Sequence, residues 1–298
     1  MPNYNHAPFL KERLDSILAQ DYTDMEVIML DDASTDNSVA VMKLYENHPK
    51  VKALLINPTN SGNTFMQWQR GLEQATGEYV WIAESDDVAQ PALLSTLVAT
   101  LEANDAVLAF CASNKIDEEG HVLPQRTDHI WQKAFCMDGT EFARRYLLGF
   151  NHIQNASAVV FRREAAAHVD MDAVRQYTAS GDRLFWIEMA LQGKVAYVPE
   201  RLNGFRQHAC KVSGSAESRG VNMQQDHAIY CRFKEMLNLT RAERQRTCGY
   251  HWQAIHKATV SEEGRSKAMQ AWSAEKEFNR LSYGLYMAHR LCEKIRLA

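Results

Sequence analysis

Two short apolar runs, each ending in carboxylates, constrain this chain more than any other feature. Residues 26–30 close on Val27-Ile28-Met29-Leu30 and run into Asp31-Asp32. Residues 79–83 run into Glu84-Ser85-Asp86-Asp87. Short apolar runs bounded by turn residues predict buried strands. Helical patterns lie between them. Pro8 suits a first turn, and Phe9, Leu10, Leu14, Ile17 and Leu18 recur at helical spacing over 8–20. Val51 to Ile56 reads as a further strand, the stretch 57–63 as a loop rich in turn residues, and the stretch up to Ala75 as a helix stopped by Gly77. Pro91 opens another helix, and Val107 to Cys111 reads as a fourth strand. This alternation predicts an α/β fold, a mostly parallel sheet with helices on both faces. Ligands of such sheets bind outside the carboxyl ends of the strands, where both acidic clusters fall.

The pattern weakens beyond residue 112. Residues 113–137 read as an irregular or antiparallel excursion, 138–149 as a helix, 156–161 as a strand, 181–193 as a helix and 195–198 as a strand. From about 215 the chain reads as helical and more charged. The stretch 281–298 has an apolar stripe and a basic face, which suits either packing on the rest of the protein or a second subunit, or peripheral contact with an anionic membrane.

Composition removes several classes. With 33 Lys+Arg against 37 Asp+Glu, a formal charge of -4 and a pI near 6.3, no bulk basicity is available for nucleic acid. No apolar run approaches the ~18–20 residues of a membrane span. The N-terminus has neither a basic region nor an apolar one of the kind a secretory signal carries. The six cysteines form no C-x-x-C pair and read as buried reduced thiols of a cytoplasmic protein. No glycine-rich dinucleotide fingerprint, P-loop, G-x-S-x-G or H-E-x-x-H occurs. His251 and His256 are five apart, not on one helix face, and read as structural.

The carboxylates themselves are therefore the candidate chemistry. Carboxylates brought together repel and raise one another's pKa unless a cation intervenes. All-oxygen ligands suit Mg2+ or Mn2+, and Mg2+ characteristically bridges one or two carboxylates to phosphates. The alternative is that the clusters are helix caps and solvated turns.

These residues match a family pattern. Pro2-Asn3-Tyr4-Asn5, Leu30-Asp31-Asp32-Ala33-Ser34-Thr35-Asp36, and Gly77-Glu78-Tyr79 leading to Glu84-Ser85-Asp86-Asp87 and Pro91 resemble family 2 glycosyltransferases of the GT-A fold. Gly181-Asp182-Arg183, Val198-Pro199-Glu200-Arg201-Leu202, Phe205-Arg206-Gln207-His208 and Ser213 continue the likeness, which spans about residues 2–214. The resemblance implies a GT-A domain over 1–214, with a nucleotide-sugar half (1–112) and an acceptor half (113–214). The helical extension is 215–298. It implies inverting transfer from a nucleotide-diphosphate sugar, with UDP-sugars favoured, to a saccharide or lipid-linked acceptor in cell-surface polysaccharide synthesis. That setting is cytoplasmic, extending to the inner face of the membrane.

Carried over residue by residue, Tyr4 would border the nucleobase. Asp32 would accept a hydrogen bond from the base, with Asp31 beside it. Asp86 would ligate the metal, Glu84 would contact the ribose or a metal-bound water, and Asp87 would stand in the first or second layer. Asp182 would be the general base, although an Asp there also reads as a helix cap. Arg206 and His208 would fold over the donor phosphates or the acceptor, or else be surface residues after a strand. Three departures stand out. Glu84 replaces the usual Asp. Trp68 stands where many relatives carry a basic residue. The apolar strand that relatives carry directly before Pro-x-Tyr-Asn has no counterpart ahead of Pro2, which leaves the sheet short of a central strand.

Overall fold

A computed structural model describes residues 1–124, 131–208 and 220–297; Cys210 and Ser213 lie outside these residues. The first sheet is parallel, in the order β1 (Pro2–Asn3), β2 (Val27–Asp31) and β3 (Val51–Ile56). Between them run α1 (Ala7–Leu18) and α2 (Ser38–Lys43), and α3 (Thr64–Gln74) follows β3. Alpha-one buries Leu10, Leu14 and Ile17 along one stripe, and Arg13 shares that stripe. The apolar periodicity drives the packing, and the buried arginine is a polar intruder in it.

The second sheet is mixed. It contains β4 (Tyr79–Trp81), β5 (Val88–Ala89), β6 (Ala106–Ile116), β7 (Phe135–Asp138), β8 (Val159–Arg162) and β9 (Lys194–Arg206). Its order is β4-β8-β6-β9-β5, with β7 on β9. Only β6 and β9 pair in parallel; β4·β8, β6·β8, β5·β9 and β7·β9 are antiparallel. The expectation of a mostly parallel sheet is thus corrected for the second half. Beta-nine runs thirteen residues against an expected four, and β6 runs to Ile116 through the stretch expected to be irregular. Polar residues in these extensions bond across the strands: Asn203 Nδ2 donates to Ser113 Oγ at 3.0 Å and Arg201 to the Ser113 carbonyl at 3.1 Å. An apolar-run criterion cannot see strands held this way.

Helix α4 (Leu93–Asn104) follows β5, and α5 (Gly139–Phe142) follows β7 and passes into a π-helical turn, Ala143–Leu147. Two short helices, α6 (Arg163–Ala166) and α7 (Met171–Val174), precede α8 (Gly181–Ala190). Four helices close the chain, at Val221–Met236, Arg241–Lys257, Glu262–Trp272 and Arg280–Leu297. The first three share one core with α8 and β8: Trp186, Phe161, Tyr230, Phe233, Ile255 and Trp272 belong to a single buried cluster. His251 is structural, stacked on Trp272 at 4.1 Å and bonded to the Leu148 carbonyl at 3.0 Å. The last helix packs on Arg241–Lys257 at Gly249, where an added Cβ would lie 2.3 Å from the Ser282 carbonyl. Leu281, Leu285 and Leu291 stay exposed on its other side. Among the described residues no helix is long and apolar enough to cross a membrane. Cys111 and Cys248 are buried thiols as expected, but Cys136 and Cys292 are exposed.

Pro2 and Asn3 pair with Leu30 and Asp31, so β1 borders only the carboxyl end of β2. Below it, the edges of β2 and β4 are separated by a cavity of about 500 Å³ lined by Met1, Ile28, Leu30, Gly71, Val80 and Ile82. The two sheets are joined by packing across α1 and α4 rather than by a shared ladder: Met25 and Trp81 touch the cores on both sides.

Alpha-eight approaches α3 so closely that a Cβ on Gly181 would stand 2.4 Å from Phe65 Cε2. Gly181→Ala should therefore destabilise the fold by about 1–3 kcal/mol, the usual cost of overpacking. Phe65→Leu in the same chain should recover part of that loss in denaturant unfolding. Purely additive losses in the double variant would show that this contact does not set the approach.

Candidate active site

The carboxyl ends of β2 and β4 converge, and each acidic cluster meets a different fate. Asp31 is buried and accepts from Asn3 Nδ2 (2.8 Å), Ser34 Oγ (2.7 Å) and the Ser34 amide (2.9 Å). Asn5, in the left-handed region at φ 56°, accepts from the Thr35 amide at 2.8 Å, so the turn after β2 is tied to the turn after β1. Asp32 accepts from Asn57 Nδ2 (2.6 Å), Gln67 Nε2 (2.8 Å), and the amide and hydroxyl of Ser61 (3.0 and 2.7 Å). A carboxylate has about four lone-pair sites. Asp31 and Asp32 therefore spend their acceptor capacity on shaping the loops at 31–36 and 57–63. Tyr4 stands exposed between β1 and α1.

Asn63 extends the same framework. It caps α3 by accepting from the Phe65 amide, and its Nδ2 donates to the Arg175 carbonyl at 2.7 Å. Trp68, one turn further on, donates Nε1 to Glu84 Oε1 at 2.9 Å while its ring packs on Phe185 and Trp186 of α8. The residue that replaces the family's basic side chain thus spans the second acidic cluster and the helix that bears Asp182.

Glu84, Asp86 and Asp87 crowd the turn after β4. Burial, then Asp86, pushes the Glu84 carboxyl up to about 8. Burial, then Asp86, pushes Asp87 up to about 6, and hydrogen bonds from Asn155 Nδ2 (2.8 Å) and the Arg206 amide (3.0 Å) hold it in place. Burial also acts on Asp86, but His208 Nε2 at 2.9 Å and the nearby His6 outweigh it and leave Asp86 below its ordinary value. Charge compensation comes from a residue that sequence reasoning passed over. Arg13 is fully buried under the cluster, its guanidinium 4.8 Å above the Trp81 ring and bonded to Ser157 Oγ at 3.1 Å. Burial lowers its pKa to about 10, against the pull of Asp87, Asp86 and Glu84, so it stays a cation. The signal was present as a charged residue on the apolar stripe of an amphipathic helix.

Arg206 corrects an expectation. Its side chain is wholly buried and does not face the cleft. Nε donates to the Asp86 carbonyl (2.7 Å), Nη1 to the Asp117 and Glu118 carbonyls (2.9 and 2.7 Å), and Nη2 to Glu12 (2.5 Å), with the guanidinium over Phe9. With its donors spent this way it is a strut that sets the position of Asp86, not a group that reaches a donor phosphate.

His208 instead stands at Asp86. Its side chain is 1% exposed, and Nδ1 is buried without a hydrogen-bond partner among the described residues. The His6 ring lies edge-on to it, centroids 5.2 Å apart, with Nδ1 2.8 Å from Ser85 Oγ. Burial lowers the His6 pKa, with Asp86 opposing. One donor atom each from His6, Asp86 and His208 lies within 4.8 Å of the others. The donor set and the orphaned His208 nitrogen fit a divalent cation.

Asp182 is the second residue of α8, and the cap position is Ser180. Ser180 Oγ donates to Asp226 at 2.8 Å, and Asp226 pairs with Arg183 at 3.4 Å. Asp182 is half-buried and is contacted by Asn151 Nδ2 at 3.3 Å. Burial pushes its carboxyl up to about 6, with the Arg183 amide and charge opposing and Asp226 reinforcing. Asp182 and the β4 cluster thus share one framework through Trp68.

Known proteins place this arrangement. The family model described as Glycosyl transferase family 2 matches residues 1–169. A protein of Haemophilus influenzae named as an uncharacterized glycosyltransferase is 27% identical over 214 residues, covering 70% of this chain and 65% of that one. The chain spans 65% of the length of that relative and 32% of that of an Escherichia coli relative named as an uncharacterized glycosyltransferase. Among solved structures, Staphylococcus aureus TarS 1–349 in complex with UDP-GlcNAc superposes with a TM-score of 0.69 at 18% identity, covering 96% of this chain and 82% of that one. The mannosyltransferase PcManGT of Pyrobaculum calidifontis, in complex with GDP-Man and Mn2+, gives 0.51 at 20% identity, covering all of this chain and 74% of that one. The mixed sheet and its flanking helices are the GT-A fold with a helical C-terminal part, and with the family model matched over more than half of its length this chain belongs to glycosyl transferase family 2.

Proposed function

We propose that the chain transfers a sugar from a nucleoside-diphosphate donor, a UDP-sugar by preference, to an acceptor hydroxyl with inversion at the anomeric carbon. The observation that carries this reading is the pairing of two kinds of carboxylate in one framework. Asp86 is held ionised by imidazoles, while Asp182 is half-buried and raised to about 6. An ionised carboxylate beside histidines suits a cation seat. A carboxylate with a pKa just below neutrality suits a general base, typically worth ~10²–10⁴-fold. The UDP-GlcNAc complex of TarS supports the choice of nucleotide.

In this reading Asp182 takes the proton from the acceptor hydroxyl as that oxygen attacks the anomeric carbon, and the bond to the donor diphosphate breaks on the opposite face. Asp86 and His208 would hold a divalent cation, for which the Mn2+ complex of PcManGT is a precedent. Such a cation, when bound, stabilises the negative charge that gathers on the leaving diphosphate. The chain's own residues preorganise the rest. Arg206 and Arg13 set the turn that carries Asp86, Asp31 and Asp32 shape the loops around the nucleotide, and exposed Tyr4 offers its ring to the base. The acceptor, of saccharide or lipid-linked type, enters from the side of Asp182.

Four outcomes test the reading. UDP-sugars presented with Mn2+ should release UDP in a donor-hydrolysis assay, and binding without any turnover would favour an inert nucleotide-sugar binder. Asp182→Asn should lower kcat by roughly 10²–10⁴-fold with donor binding by calorimetry intact; full activity in that variant would remove Asp182 as the base. The base works only when deprotonated, so kcat/KM should climb with pH through about 6 and level off above it. The inflection should be absent in Asp182→Asn. Asp86→Asn should abolish the stimulation of donor hydrolysis by Mn2+, and an unchanged metal response would place the cation elsewhere.

A further inference from the structure

We propose that His6 is a third protein ligand to the divalent cation, beside Asp86 and His208, so that the seat presents two imidazoles and one carboxylate. This rests on the reading of Asp86 as the cation-holding residue and adds a ligand from a different element, the turn between β1 and α1. His6 occupies the N-cap of α1 yet makes no side-chain cap there. Asp36 Oδ2 takes the Ala7 amide instead, at 2.9 Å, which frees the imidazole to face Ser85 and Asp86. Its Nδ1 is engaged by Ser85 Oγ at 2.8 Å, and metal-binding histidines are commonly fixed by a hydrogen bond at the nitrogen that does not ligate. Nε2 is then the nitrogen left for a ligand.

The partner side of the seat agrees. His208 is 1% exposed, its Nε2 lies 2.9 Å from Asp86 Oδ2, and its Nδ1 is buried with no partner among the described residues. Donor atoms of the three residues fall within 4.8 Å of one another. Ligands at ~2.0–2.2 Å from one ion sit roughly 3–3.5 Å apart, so small side-chain rotations close the set. Two nitrogens also change which ion the seat prefers. First-row transition ions, Mn2+ among them, accept imidazole nitrogen more readily than Mg2+, which holds to oxygen. His6 therefore tilts the site toward Mn2+ over Mg2+.

The test uses the full chain with UDP present. Mn2+ binding is followed by the electron paramagnetic resonance signal of the free ion, and electron spin-echo modulation counts coordinated imidazole nitrogens. Wild type should show two histidine couplings that shift with 15N-histidine labelling. His6→Ala should show one, bind Mn2+ at least about tenfold more weakly, and lose most of its preference over Mg2+. A wild-type spectrum with one coupling, or a His6→Ala spectrum that keeps two, overturns the inference. If His6→Ala fails to fold, the wild-type count decides alone. Absence of Mn2+ binding also overturns it, and UDP-sugar hydrolysis that persists with a chelator would then leave the glycosyl-transfer reading standing.

Discussion

Three carboxyl groups within four residues, half-buried to buried at the end of β4, are the constraint around which the structure is arranged. Mutual repulsion and loss of water both favour their neutral forms, and the environment divides them. Glu84 and Asp87 are pushed up, to about 8 and about 6, while Asp86 is kept ionised. The division comes from what each one meets: an indole N–H for Glu84, an amide side chain and a backbone amide for Asp87, imidazoles for Asp86. Arg13 lies beneath all of them as a permanent cation. A single buried carboxylate could be neutralised by protonation, but a set that must keep one member charged needs such a counter-ion close by.

The rest of the site follows from holding that turn still. Arg206 fastens the Asp86 carbonyl to the segment at 117–118 and to Glu12 on α1. Ser157 accepts from both the Glu84 amide and Arg13, so the segment entering β8 is tied to the same cluster. Through Trp68 the framework reaches α8, and the close approach of Gly181 to Phe65 places Asp182 against it. Acidic residues that share one edge of a sheet thereby acquire different ionisation states and different chemistry without any long-range charge effect being required.

Much of this was legible in the chain. The runs that became β2, β3 and β4, the helices α1, α3, α4 and α8, and the acidic turns all stand where apolar periodicity and turn residues put them. Strands held by polar side chains were not legible. The second half of β9 and the end of β6 pair through Asn203, Arg201 and Ser113, which carry no apolar signature. The antiparallel placement of β8 between β4 and β6 was also hidden, because pairing depends on partners distant in the chain. Of the site, Asp86 and Asp182 could be marked from sequence. Asn63 and Ser157 could not, Arg13 showed only as a charge on the apolar stripe of α1, and Arg206 was marked for the donor phosphates or the acceptor although it is buried.

The sequence by itself determined which residues can carry the chemistry: carboxylates after apolar strands, an Asp opening a helix, a His in the Phe205-Arg206-Gln207-His208 segment. Those assignments depend on residue type and local spacing, which the chain displays directly. Only the tertiary structure decided which of those carboxylates stays ionised, that Arg206 is a strut, and that His6 and His208 meet at Asp86. The physical reason is that ionisation and donor supply are set by neighbours brought from elsewhere in the chain. His6 and His208 stand about two hundred residues apart in sequence, and their rings lie 5.2 Å apart in the fold.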